Sequence, residues 1–116
     1  MTDRAQLTTG TLALASMRCR PGAPRLAADE VATHLASLPG WHATSAAIVK
    51  EFRFASYHET IAFVNALAWI AHREDHHPDL AVHYGKCVVT FGTHDAGGST
   101  LNDVICAAKT EALLST

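Results

Sequence analysis

The residues best suited to chemistry crowd into one short stretch. Residues 71–80, AHREDHHPDL, hold three histidines and three acids, and Pro78 closes the run. Histidine is the side chain whose ordinary pKa, about 6.5, lets it give or take a proton near neutral pH. His76 and His77 are adjacent, and His94 follows later in the chain beside a Gly-rich segment, GTHDAGGS. If the chain brings these regions together, the site does acid/base work, with Asp103 accepting one imidazole N–H.

Other chemistries fit less well. His72 and His76 lie four apart, on one face of a helix, and could ligate zinc with His94. But Arg73 stands where an HExxH motif has its glutamate, and no cysteine pair supports a metal. Cys87 and Cys106 sit in apolar runs as core residues. No GxSxG elbow, phosphate loop or dinucleotide fingerprint is present. A purely structural role competes on equal terms. Two histidines before a proline can close a helix C-terminus, where an imidazolium suits the dipole. His34, His42, His58 and His83 read as surface or turn residues.

The elements that must position these groups follow from pattern. The chain has 116 residues, 48% hydrophobic and 17% charged, the size and composition of one globular domain. No apolar run approaches a membrane span. Cys19, Cys87 and Cys106 are odd in number and far apart, which fits free thiols in a reducing, cytoplasmic setting. Residues 1–25 hold four arginines and one aspartate, net +3, and end in the breaker-rich RPGAPR. They read as a disordered N-terminal extension, with the folded domain over 26–116. The remainder holds five basic and ten acidic residues, net −5, and offers no nucleic-acid face.

Val31, Leu35 and Leu38 share a helical stripe that PGW ends. WHAT is a short strand, and IVKEFRF alternates as a half-buried one. Ser56 and Glu59 form a capping box for a long helix to about Glu74, with Ile61, Val64, Ala68 and Ala71 on one stripe and Phe63, Leu67 and Ile70 beside it. LAVHY and CVVTF form a hairpin about a Gly-Lys turn. Thr100 and Asp103 make a second capping box, opening a last helix. The fold expected is α+β, a single-domain α-β-β-α-β-β-α sandwich. Its four-stranded antiparallel sheet carries helices on one face. That leaves a sheet face or edges bare, which assembly with further copies would cover.

The full run HHPDLAVHYGKCVVTFGTHDAGGSTLND resembles the signature of the pterin-4a-carbinolamine dehydratases. His76, His77 and Pro78, then Tyr84, then Thr93, His94 and Asp95, then Asp103 fall at that family's spacing. LPGW, IVKEFRF and FVNALAWIAHREDHHP extend the likeness across residues 26–116. The chain departs from the pattern at His72, often acidic there, at Ser99, commonly leucine, and at Leu80, often aromatic. The resemblance implies a 4a-hydroxytetrahydrobiopterin dehydratase, a hydro-lyase of tetrahydrobiopterin recycling that yields quinonoid dihydropterin. It implies His76, His77 and His94 as the catalytic set, with His76 and His94 in acid/base work and His77 on the substrate. Asp103, Trp41, Pro78, Thr93 and Asp95 would bind substrate or support the site. It implies no metal and no cofactor, the pterin being substrate. The assembly would be a homodimer or homotetramer, coupled to an aromatic amino acid hydroxylase, with no nucleic acid and no membrane. The competing reading is a non-catalytic factor, like those relatives that serve as a dimerisation cofactor of a homeodomain transcription factor or in Rubisco assembly. Retention of all three histidines favours the enzyme.

Overall fold

A computed structural model describes residues 7–115. Nine segments follow one another: helix α1 (Thr9–Ala15), helix α2 (Ala28–Leu35), strands β1 (His42–Ala43) and β2 (Ala47–Arg53), helix α3 (Tyr57–Glu74), strands β3 (Asp79–Val82) and β4 (Lys86–Gly92), a 3-10 turn (His94–Ala96) and helix α4 (Leu101–Leu113). From α2 onward this is the expected α-β-β-α-β-β-α order. The sheet runs β1-β2-β4-β3, antiparallel throughout.

Pairing of Ile48 with Phe91 and Phe52 with Cys87 puts every second side chain of the two central strands on the helix side. There Ile48, Cys87, Val89 and Phe91 are fully buried with Leu67 of α3 and Val104 and Cys106 of α4. The opposite face carries Glu51, Arg53 and Lys86, linked as ion pairs, and β3 forms an edge with little cover.

Three local expectations need correction. The hairpin turns about Tyr84 and Gly85, not Gly-Lys, because Lys86 already pairs with Arg53 in the ladder and the His83 N–H reaches the Lys86 carbonyl at 2.8 Å. The buried stripe of α3 is Thr60, Phe63, Leu67, Ile70, Ala71 and Glu74, while Ala68 is exposed. Glu59 accepts from the N–H of Ala55, one residue before the expected cap, while the Ser56 hydroxyl accepts from Glu59 N–H.

The largest correction concerns the expected disordered extension. Residues 1–6 lie outside the described residues, but 7–25 are built into the fold. Leu14 and Thr11 of α1 are buried. Lys109 of α4 donates to the Ala15 carbonyl at 2.7 Å. Asn102 pairs with both backbone groups of Arg20, at 3.0 and 2.7 Å. Glu74 accepts from Cys19 N–H at 2.9 Å and meets Arg18 at 3.0 Å. The physical reason lies in α4. Residues 102–110 are buried without a break, so the helix is covered all round and needs a second layer beyond α3 and the sheet.

Candidate active site

The end of α3 sets the site. Asp75 adopts the left-handed conformation, φ 50°, one that aspartate tolerates better than most residues. The His76 N–H then returns to the Ala71 carbonyl at 3.1 Å, a helix-closing bond of the left-handed cap. Thus the helix ends at Asp75, before Pro78 can stop it. The following residues run without helical structure. His76 turns into the protein and His77 stays exposed.

Asp103 receives His76. Its carboxylate is fully buried. Oδ1 lies 2.5 Å from His76 Nε2. Oδ2 accepts from the Thr93 hydroxyl at 2.8 Å and from Thr100 N–H at 2.9 Å. The Thr93 and Thr100 hydroxyls are themselves 2.9 Å apart. One carboxylate therefore caps α4 with one oxygen and holds the imidazole with the other. The His76 ring stacks on Phe91, centroids 6.1 Å apart. Its pKa is raised above the ordinary histidine value, first by the hydrogen bond to Asp103, which outweighs the opposing effect of burial.

Thr93 also closes the next loop. Its backbone pairs with Gly98, 3.1 Å from N–H to carbonyl, and Gly97 supplies the left-handed turn, φ 70°. This presents His94, exposed, beside the end of β4. His77 and His94 line one open cleft of about 360 Å³, with Asp79, Thr90, Thr93 and Gly92 on its walls. That volume lies within the range of small-molecule sites.

The structure thus gathers His76, Thr93 and Asp103 into one hydrogen-bonded set, and His77, His94 and Thr93 around one cleft. His76 is not among the cleft's lining residues; 13% of its side chain remains exposed. Three expected site residues stand elsewhere. Trp41 is 5% exposed, donates from Nε1 to Glu111 at 3.0 Å and packs edge-on against Phe52, as a core strut rather than a cleft wall. Pro78 is half-buried and Asp95 exposed, and neither lines the cleft. Tyr84 stacks on Tyr57 at the hairpin tip, away from the site. The zinc arrangement is not assembled. His72 stacks on exposed Trp69, and among the described residues no cluster of three or more His, Cys, Asp or Glu could hold a metal ion.

Thr100 and Asp79 join the site beyond the residues to which the sequence points. The capping-box pattern is the signal that could have found Thr100, because it pairs an Asp103 oxygen with the Thr100 N–H. Asp79 follows HHP directly, but nothing in its spacing marked it.

Residues 24–113 match the profile of the family described as Pterin 4 alpha carbinolamine dehydratase. A protein of Chromobacterium violaceum, provisionally named pterin-4-alpha-carbinolamine dehydratase, is 59% identical over 102 residues, 86% of this chain and 94% of its own. One of the same provisional name from Stenotrophomonas maltophilia is 54% identical over 105 residues, covering 86% and 90%. Among solved structures, the transcriptional coactivator/pterin dehydratase of Brucella melitensis superposes with TM-score 0.75 and 31% identity, covering 78% of this chain and 99% of the other. A pterin dehydratase-like protein identified as a RuBisCO assembly factor in the alpha-carboxysome is more distant, at TM-score 0.57 and 26% identity, covering 66% and 93%.

Proposed function

The chain belongs to the pterin-4a-carbinolamine dehydratase family, a family of hydro-lyases, and on that footing we propose that it dehydrates a 4a-hydroxytetrahydropterin at the cleft between His77 and His94. The observation that carries the reading is one cleft that two histidines line, joined through Thr93 and Asp103 to a third. Two line the cleft, and the third is held behind it by a buried carboxylate.

The chemistry asks for two proton transfers. Hydroxide is a poor leaving group, so an acid protonates the C4a hydroxyl as the C–O bond breaks. The N5 proton is lost to a base, and the electron pair of the N–H bond forms the C4a=N5 double bond of the quinonoid dihydropterin. Water leaves, and no electrons pass to or from the enzyme. His76 suits the acid. Its Nε2–H is committed to Asp103, so Nδ1 is the nitrogen that gains and loses a proton, and the raised pKa keeps it charged further toward neutral pH. His94, exposed and without a hydrogen-bond partner for its ring among the described residues, suits the base. His77 contacts the pterin. Thr93 and Thr100 orient Asp103.

4a-Hydroxytetrahydrobiopterin is the substrate favoured, as the carbinolamine left when an aromatic amino acid hydroxylase uses its pterin; the enzyme then serves tetrahydrobiopterin recycling. The bare sheet face and the β3 edge suit a homodimer or homotetramer. The likeness to the RuBisCO assembly factor supports a second reading, a binding role without turnover.

Stopped-flow decay of 4a-hydroxytetrahydropterin, at a pH where spontaneous loss of water is slow, separates the two. His76→Ala and His94→Ala should each slow the catalysed step by about 10²–10⁴-fold in a protein that still folds. A folded wild-type chain that leaves the decay unchanged would rule out the enzyme and favour the binding role.

A further inference from the structure

A second reactive centre lies outside the histidine cleft, where the N-terminal segment crosses α4. Cys19 Sγ stands 3.4 Å from Cys106 Sγ, although the two residues are 87 positions apart. Cys19 is half-buried and Cys106 fully buried. The third cysteine, Cys87, is buried in β4. The contact is held from both sides. The Cys19 N–H donates to Glu74 at 2.9 Å, and the next residue, Arg20, makes the paired bonds to Asn102 on the first turn of α4. So the two sulfurs meet through fixed backbone on either side.

We propose that Cys19 and Cys106 are a redox pair that closes to a disulfide when hydrogen peroxide oxidises Cys19. Of the two residues, Cys19 is the one that keeps partial exposure. Its thiol pKa is lowered, chiefly by the hydrogen bond from Cys106, and Cys106 is correspondingly held in its protonated form. The Cys19 thiolate attacks the peroxide; the O–O bond breaks, and water leaves after taking up a proton. Cys19 becomes a sulfenic acid. Cys106 sulfur then attacks Cys19 sulfur, the S–O bond breaks, and hydroxide leaves with the Cys106 proton as a second water. Two thiols have lost two electrons in all, and the peroxide has gained them. The product fastens residues 7–25 covalently to α4, one helical turn from Asp103. In a reducing compartment the bond would be transient, formed under oxidant and reversed by thiols.

The test uses the full-length protein treated with hydrogen peroxide, blocked with N-ethylmaleimide, then denatured, labelled with a second alkylating agent and mapped by mass spectrometry. The expected result is one cross-linked species joining the Cys19 and Cys106 peptides, lighter by two hydrogens, with Cys87 recovered as a thiol. Cys106→Ser should leave a dimedone-reactive sulfenic acid at Cys19 and no cross-link. The oxidised wild type should melt above the reduced form, a difference that dithiothreitol and Cys106→Ser each remove. Recovery of Cys19 and Cys106 as free thiols after peroxide, or pairing that involves Cys87, overturns the proposal. A cross-link without a rise in melting temperature overturns the fastening of residues 7–25.

Discussion

Replacing Asp103 by asparagine changes little in shape and much in proton bookkeeping. The carboxylate accepts three hydrogen bonds, from His76, Thr93 and Thr100. An amide has only one oxygen. If that oxygen keeps the Thr93 and Thr100 donors, the NH2 faces His76 Nε2 and forces the imidazole to accept there. The proton of neutral His76 then moves to Nδ1, and the charged form loses the partner that raised its pKa. Partners that orient a metal-bound histidine from behind are worth about 10–100-fold; carried over to His76, that range is about 1.4–2.7 kcal/mol at 1.36 kcal/mol per decade. That matches the roughly 1.5–3 kcal/mol expected of a hydrogen bond to a charged group. The assay is kcat/KM for carbinolamine dehydration against pH. In the proposed mechanism His76 is the acid, which makes its charged form the active one. Losing Asp103's charge lowers the pKa, and the limb that reports His76 moves to lower pH. The Asp103→Asn deficit should therefore widen between about pH 6 and about pH 8, the range in which histidine charge is decided. A variant profile that superimposes on wild type in height and shape would refute the role of the pair.

Folding stability should show the same pair with a fixed sign. His76 binds its proton more tightly folded than unfolded, so its contribution is complete below the ordinary value of about 6.5 and fades as pH rises through the folded pKa; urea titrations at stepped pH should show this fall in wild type and not in His76→Gln. Trp41→Phe removes the bond to Glu111 and should cost about 1.5–3 kcal/mol in urea unfolding, while kcat and KM stay at wild-type values; a loss of turnover without loss of stability would return Trp41 to the cleft. Extended dialysis against a chelator should leave the dehydration rate unchanged, and a loss restored by zinc would overturn the metal-free mechanism.

From α2 to β4 the sequence was legible where an element buries one face. Val31 and Leu38 of the first stripe are buried, and so are Ile48 and Phe52 of the strand. Periodicity speaks clearly in such half-buried elements. It failed where burial is complete or local bonds decide. In α4, nine consecutive residues are buried, so no stripe betrayed a second layer, and nothing local marks polar Asn102 and Lys109 as anchors for Arg20 and Ala15. The breaker-rich composition of residues 1–25 then read as a linker. Within the site, the capping box at Thr100 and Asp103 and the pair at residues 76–77 were visible, because their chemistry is local. The placement of Trp41 was not. An aromatic beside a turn carries no mark of which wall it joins, and its bond to Glu111 spans 70 positions.

The doubled histidine also has a directional logic. At the left-handed corner of Asp75 the helix ends and the backbone passes into non-helical chain, where neighbouring side chains face opposite ways. Two identical residues in a row then receive different addresses, His76 inward to Asp103 and His77 outward to the cleft. Histidines separated by one residue would both face the same way, and one of the two posts would stand empty. Deleting a single residue ahead of Pro78 would leave one histidine for the inward place and hand the outward one to proline. The spacing between helix end and proline is thus a sorting device, and a change of length misplaces the histidines even where every side chain is kept.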